Sequence, residues 1–571
     1  MAVTFDIDEK PATPEAIHQE DVAADVPNDS PNEDFKWSTG IILNLVALNW
    51  CCFAATWGLS VPTSSIGFIA QTFGETGSKT AWIAAAITIP NCVFQMFIGD
   101  LSDFLGRRMF LQVGCILGFV GMMVAGRASS IDMVIGGQVL SGIGCTLGYL
   151  TIPFISEIVP KDTRSLATGV VAVASSISTA IGPVIQGALI TKNVGGANEG
   201  WRAGFYLGAA LYGSASLLLL AFYKPSPRPN PEGLSVSRRL LKFDWCGIFM
   251  VTSGLTLFLY GLHEGGNPHP WSSARVLAPL IIGIACSIIF IGWEWKGTRH
   301  GVFDHAMFYH RNYSVTLVVS FVGGIVLFCG QAYLPQEIIS LFTSNAILTG
   351  VYNLPFNTAS MVGAIAGAII MRAAKEGKWI VVGAYTFLTV GGGLMAVQEP
   401  HISFAAWFFP TALLGLGVGV QMVVVITITG LCTPDHLIAH AVSTNSAIRA
   451  LGGSVGVVIF SQIYQSKVKT FLPERVTEAV IASGLDPTNV AAFLQALSES
   501  NAEAMARIEG LTPQITAAGE KAAAQAYADS YRFVWYSLIP FGVIAVSLAL
   551  FLKPVKEQLT RQVTAGVRNA K

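Results

Sequence analysis

About fourteen runs of roughly 20 apolar residues recur along this 571-residue chain, and no other feature constrains its fold as tightly. The hydrocarbon core of a bilayer is about 30 Å thick, the length of about 20 residues of α-helix. Inside it each backbone N–H and C=O must find its partner within the segment, so the runs read as membrane-spanning helices. They fall at 40–63, 80–100, 109–127, 132–155, 166–190, 203–222, 245–264, 274–294, 314–334, 346–371, 379–398, 403–427, 440–463 and 532–552. Composition agrees, since 52% of residues are hydrophobic and only 12% are charged, about half the charged share of an ordinary globular domain. Such a chain cannot cover itself with polar surface. The fold class is therefore all-α, a polytopic membrane protein with membrane lipid as its solvent.

Charge placement sets the orientation. With both termini in the cytoplasm, the inner segments hold Arg107 and Arg108, Lys161 and Arg164, a basic stretch between Lys224 and Lys242, Lys296 to Arg311, Arg372 to Lys378, and the basic tail. The short loops on the other side offer only Lys79, Arg127, Lys192, Arg202 and Arg275, the asymmetry expected of the positive-inside rule. An even number of helices follows. Residues 1–36 are acidic and lack an early apolar core, which reads as a solvated cytoplasmic tail rather than a cleaved signal peptide. The 34 basic and 35 acidic residues nearly cancel, leaving no footprint for nucleic acid. The nine cysteines sit mostly singly in apolar runs and read as small packing residues.

Two long connections break the rhythm of short loops. Residues 223–243 are proline-rich and basic, a cytoplasmic linker between halves. Residues 465–530 are alanine-rich and mixed in charge, with Pro473, Pro487 and Pro513 as expected breakers of short amphipathic helices outside the membrane. An internal repeat pairs the fourth helix with the twelfth: Gly142-Ile-Gly144 is followed by Pro160-Lys161-Asp162, and Gly415-Leu-Gly417 by Pro434-Asp435-His436 at nearly the same spacing. Two parallel six-helix bundles with an inserted helix pair place them this way. The expected organisation is an acidic tail (1–36), an N-terminal bundle (37–222), the linker (223–243), the inserted pair and its loop (244–312), a C-terminal bundle (313–552) and a basic cytoplasmic tail (553–571).

Between helices 2 and 3 the chain reads Gly99-Asp-Leu-Ser-Asp103-Phe-Leu-Gly106-Arg107-Arg108. Gly106 permits a tight turn and the two arginines hold the loop in the cytoplasm; on that reading alone the segment is a topology anchor. It resembles the signature of the major facilitator superfamily, and the resemblance implies that the aspartate and arginines form a gate closing the cytoplasmic side. Helix 5 carries Ser178-Thr-Ala-Ile-Gly182-Pro183-Val-Ile-Gln186-Gly187. Its small residues four apart suit close helix packing, and the segment is similar to the antiporter signature that marks exporters, with Ser178 and Gln186 in place of glycine. Asp244-Trp245, Gly261-Leu-His-Glu-Gly-Gly266, Tyr333-Leu-Pro335 and Arg449-Ala-Leu-Gly452-Gly453 resemble the fourteen-spanner drug:proton antiporter group and, within it, fungal trichothecene efflux pumps, over residues 37 to 555. The resemblance implies export of small amphipathic organic compounds through the plasma membrane, exchanged for protons by alternating access.

The chain departs from that pattern where proton coupling is concerned. Gln138 stands where the helix 4 signature has arginine, and the first helix, with Asn44 and Asn49, lacks an aspartate. No carboxylate falls in the middle of a span; Glu157 and Glu337, both near helix ends, are the candidate proton carriers, and Glu264 and Glu294 are similarly placed. Arg449 is the one deeply placed charge, at a cost of about 2.5–3.5 kcal/mol for a central arginine, so it should face protein or a water-filled cavity. Asn49, Trp57, Gln95, Tyr149, Gln331, Tyr333, Asn353, Asn357, Gln421 and Asn445 suit such a cavity as a set, though each alone also suits packing. His436 and His440, and His300, Asp304, His305 and His310, form no complete ligand set for a metal. No Walker A motif is present, and no catalytic constellation, cofactor or metal is expected. An uptake carrier or facilitator for siderophores or other small molecules is the alternative on the same fold, and a receptor on a transporter scaffold the alternative of another class.

Overall fold

The structure, a computed structural model, describes residues 38–74, 79–196, 198–225, 243–266, 269–298, 301–343, 345–400, 404–498, 505 and 507–556. The acidic tail, most of the 223–243 linker and most of the basic tail lie outside them. Apart from an isolated bridge between Gly265 and His269, the described regular structure is helical. In chain order the helices are α1 (Thr39–Phe73), α2 (Lys79–Gln95), α3 (Ile98–Leu105), α4 (Arg107–Gly126), α5 (Ile131–Tyr149), α6 (Thr151–Ile158), α7 (Arg164–Thr191) and α8 (Gly200–Phe222). There follow α9 (Trp245–Glu264) and α10 (Ala274–Gly292), then α11 (Arg311–Leu341), α12 (Ala346–Ala374), α13 (Lys378–Met395), α14 (Phe404–Leu431), α15 (Ile438–Ala482), α16 (Val490–Ser498) and α17 (Pro513–Ala549).

Among the described residues, thirteen helical stretches are long and apolar enough to cross a membrane, and Trp82–Gln95 within α2 is a shorter apolar helix. Two expected spans are interrupted. The fourth becomes α5 and α6 because Pro153 has no N–H to give and its ring crowds the carbonyl of Tyr149, where the break occurs. The second breaks at Met96–Phe97, where neither proline nor glycine accounts for it. The first runs to Phe73, ten residues past its expected end, and stops at Gly74, whose φ of 65° and N–H to Ala70 O complete a left-handed cap.

Helices α1 to α8 pack into one bundle and α11 to α15 with α17 into a second. Each has its own large apolar core, the first around Trp201, Phe205 and Tyr212, the second around Tyr385, Trp407 and Trp535. The repeat seen in sequence is repeated in packing. Gly142 and Gly144 let α5 lie against the backbones of α2 (Ile87) and α4 (Gly118), while Gly415 and Gly417 seat α14 on Phe356 of α12 and Ala384 of α13. The bundles meet chiefly along α7 with α12 and along α2 and α3 with α15, a symmetric pair of seams. The inserted pair lies on the second seam, where α9 touches α2 and α15 and α10 packs on α9. At the end opposite the arginine motif, Trp82 Nε1 donates to Glu264 Oε1 (2.7 Å) and Gln462 Nε2 donates to Gly265 O (3.1 Å), tying the pair to both bundles. Of the apolar window in Ala274–Gly297 only 17% is buried, against 78% in Ile131–Ile158, so α10 is the helix most given over to lipid. Seven of the nine cysteines are buried; Cys246 is exposed and Cys286 half-buried.

The 465–530 region differs from the expectation of short helices broken by proline. α15 continues through Pro473 for 45 residues, about 68 Å at 1.5 Å per residue, and α17 begins with Pro513, a position where the missing N–H costs nothing. Thr512 Oγ1 caps it by accepting from Ile515 N (3.3 Å). The two extensions and α16 pack on a small core of Val476, Val480, Phe493 and Ile515, and Arg475 forms an ion pair with Asp529. Arg532 Nε donates to Ala396 O (3.1 Å), anchoring the arm to α13. This pairing is why Pro473, a helix breaker in isolation, is carried without a break.

Candidate transport pathway

The Gly99–Arg108 motif builds one end of the seam between the bundles. α3 ends at Gly106, whose φ of 103° suits only glycine comfortably, and α4 starts at the next residue, so the two helices turn on that glycine without a loop. Arg107 is thereby driven inward: it forms an ion pair with the wholly buried Glu157 at the end of α6 and stands 4.7 Å over the Phe154 ring. Arg108 Nη2 donates to Leu220 O (2.5 Å), tying α4 to α8. Asp103 lies in the last turn of α3, and its side chain falls outside the described residues.

Gly99 marks where the bundles touch. A Cβ there would come 2.7 Å from His440 Cα and 2.8 Å from Ala439 O, so only glycine allows α3 to meet α15 this closely. Beside it Asp100 Oδ2 lies 2.9 Å from His440 Nδ1. Lys161 Nζ and Asp435 Oδ2 form an ion pair at 3.0 Å, Arg164 Nη1 donates to Gly430 O (3.3 Å), and Ser165 Oγ donates to Ala368 O (3.1 Å). Each joins one bundle to the other. Apart from Cys92 Sγ, which donates to Ala447 O (3.6 Å) midway along the seam, the described direct polar contacts between bundles gather at the motif end. Asp100, Asp435 and His440 had no gating role in the sequence reading, although the Pro160 and Pro434 segments that bring Lys161 and Asp435 together are the very pair the internal repeat singles out.

Behind this closed end, midway along the bundles, lies a central cavity of about 80 Å³. The first bundle lines it with Thr56, Asn91, Gln95, Tyr149, Ser175 and Thr179, and the second with Phe328, Gln331, Asn357, Ser360, Ser446 and Arg449. Pockets that hold drug-sized ligands run to about 300–1,000 Å³, so cargo of that size is admitted only when the bundles move apart. Of the amides and aromatics read as cavity candidates, Gln95, Tyr149, Gln331 and Asn357 face this space. Five others are committed elsewhere: Asn49 Nδ2 to Leu45 O, Trp57 Nε1 to Gly204 O, Tyr333 OH to Val457 O, while Gln421 Oε1 accepts from Tyr385 and Asn445 Oδ1 from Ser320; Asn353 lies off the cavity with its Oδ1 buried and unpartnered.

The remaining candidates fall in separate places. Gln138 is fully buried within the first bundle, off the cavity, and neither of its amide atoms has a hydrogen-bond partner. Glu337 is buried inside the second bundle, where Trp535 Nε1 donates to its Oε2 (2.9 Å). Arg449 is in the cavity wall with neither carboxylate near it, and Tyr149 lines the same space. The antiporter-like segment packs α7 on α1: Ser178 Oγ donates to Phe53 O (3.1 Å), Gly182 sits against Ser60 and Val61, and Gln186 Nε2 donates to Ser65 Oγ (2.7 Å) and Trp201 O (2.9 Å). Pro183 and Gly187 lie in the same continuous helix. In the loop before α11, Asp304 caps a short turn by accepting from Ala306 N (2.8 Å), and among the described residues no three His, Cys, Asp or Glu side chains form a metal-binding group.

This architecture has known counterparts. The structure of the proton:xylose symporter XylE superposes with a TM-score of 0.55 at 13% identity, covering 92% of this chain and 98% of that one. A bacterial homologue of the human lysosomal transporter Spinster gives 0.52 at 16% identity, covering 92% and 98%. At these identities the likeness is one of fold, that of the major facilitator superfamily. The model of the fungal trichothecene efflux pumps (TRI12) matches residues 6–571. The chain belongs to that family. Curated proteins of similar sequence include the efflux transporter ffsH of Aspergillus flavipes (28% identical, 81% of this chain and 78% of that one), and the trichothecene efflux pump TRI12 of Trichoderma arundinaceum (26%, 94% and 90%). The efflux pump dotC of Dothistroma septosporum is 26% identical over 93% of this chain and 87% of its own. This TRI12-family protein is an efflux transporter of the multi-pass membrane class, and family and fold alike are those of transporters.

Proposed function

We propose that this protein exports small amphipathic organic compounds across the plasma membrane in exchange for protons, with both termini and the Gly99–Arg108 end in the cytoplasm. One observation supports the alternating-access part of the reading: a polar cavity lies between two bundles whose described direct polar contacts, Cys92 to Ala447 apart, gather at a single end. Such contacts can be broken as a set by rocking one bundle against the other, which exposes the cavity to one side at a time. The names of the relatives support organic cargo, and the basic inner loops support the orientation. A deletion strain grown against a panel of toxic small molecules should lose tolerance to a subset and accumulate them, with tolerance restored by the intact gene. Lowered cellular content in the deletion strain would favour uptake instead, and a signalling defect without altered flux would favour a receptor.

Proton exchange needs a group that is protonated from one side and released to the other. Glu337 is the first candidate, because Trp535 engages one of its oxygens and leaves the other to carry a proton; Glu157 is the second, held by Arg107 at the gate. Glu337→Gln keeps the shape and an acceptor for Trp535 but cannot ionise. It is expected to retain cargo exchange between vesicle compartments while losing accumulation driven by a pH gradient. Full gradient-driven accumulation in both Glu337→Gln and Glu157→Gln would remove both residues as carriers.

A further inference from the structure

The cavity contains one charged side chain and no counter-charge. Arg449 is the sole charged residue among those lining it, and the rest of its polar wall is amide, hydroxyl and phenol. No carboxylate lies within ion-pair distance of Arg449 among the described residues, and its guanidinium makes no described hydrogen bond. An isolated charge taken from water into a low-dielectric space is expensive unless something pairs with it. A guanidinium also presents a planar fork of donors matched to a carboxylate or to paired oxygens. The neighbours add to this: Gln331 and Asn91 bring further amide groups to the wall, Gln95 Nε2 being given to Asn91 Oδ1 (2.9 Å), and the Phe328 and Phe356 rings supply an apolar wall.

We propose that the cargo is an organic anion, an apolar or aromatic body carrying a carboxylate or an acidic phenol, and that Arg449 is the group that selects it. This rests on the reading of the cavity as the cargo site of an efflux transporter. The charge explains two features together. A cation of the same shape meets an unscreened positive charge and is rejected, a selectivity built from repulsion as well as attraction. The empty carrier also has reason not to close both ends, since full occlusion strips water from Arg449 without replacing it; anion entry supplies the missing partner and lets the bundles close around it.

The test uses the full-length chain in lipid nanodiscs with two dyes on one ring system, fluorescein as the anion and rhodamine 123 as the cation, read by fluorescence polarisation. The wild type is expected to bind fluorescein and to prefer it to rhodamine 123. Arg449→Gln is expected to weaken fluorescein binding about 30-fold or more, and Arg449→Lys to recover part of the loss by keeping the charge without the fork. The empty Arg449→Gln protein should melt at or above the wild-type temperature, because an unpaired charge has been removed. The proposal is overturned if rhodamine 123 binds as well as fluorescein, if fluorescein does not bind the wild type, if Arg449→Gln binds it unchanged, or if that variant melts well below wild type, which would make the guanidinium a structural element. None of these outcomes touches the efflux reading, which stands or falls on the growth and accumulation assays.

Discussion

Replacing Glu157 by leucine is expected to destabilise the protein by about 3–5 kcal/mol, because it leaves the Arg107 charge buried without the carboxylate that faces it. Both members of this pair are buried, Glu157 completely, and Phe154 closes the space around the guanidinium. Removing one charge therefore leaves the other buried without the opposite charge in direct contact with it, whereas removing both leaves two apolar groups of similar volume. The double variant Arg107→Met/Glu157→Leu should recover most of the loss. Thermal melting of the four purified proteins, wild type, the two single variants and the double, measures the coupling directly. Single variants no worse than the double would mean that the pair is not the buried anchor of the α4–α6 corner.

Gly99→Ala is expected to force the motif end open. The added methyl meets the backbone of His440 and Ala439, at 2.7 and 2.8 Å, and backbone on a packed helix cannot yield as a flexible side chain can. The relief available is separation of α3 from α15, which also stretches the contact between Asp100 and His440. The closed conformer is thereby penalised relative to the open one, and the population shifts. A cysteine introduced at Ser446 in the cavity wall, in a chain whose exposed Cys246 is replaced, should react faster with a membrane-impermeant reagent applied from the motif side. Vectorial transport should fall by a large factor while the protein still inserts. Unchanged reactivity together with normal transport would show that the α3–α15 contact is not a gate.

The number and order of spans are legible in the sequence because lipid imposes one rule, about 20 apolar residues per crossing, on every segment alike. The motif turn is legible for a similar reason, since Gly106 must supply a positive φ between two helices that abut. The arm is not legible locally, because Pro473 reads as a helix breaker and only the partner helix α17, 40 residues on, supplies the packing that overrides it. The gate was half legible. Arg107 and Arg108 stand out by charge, but Asp100 and His440 meet across more than 300 residues of chain, and nothing local to either announces the other. The cavity amides show the same limit. Asn49, Gln421 and Asn445 have the same chemistry as Gln95 and Gln331, and which of them reach the cavity depends on helix rotations that the apolar pattern, hydrophobic nearly all round in these spans, leaves open.

Proton-coupled export is tested most directly in vesicles containing only this protein and a compound from the growth screen, with internal compound measured as a pH gradient is imposed and then collapsed. The compound is expected to be concentrated against its own gradient on the acidic side, the side from which protons flow, and to leak back to equality when the gradient is abolished. Equal distribution with and without the gradient, at the same initial rate, would contradict antiport and make the protein a facilitator.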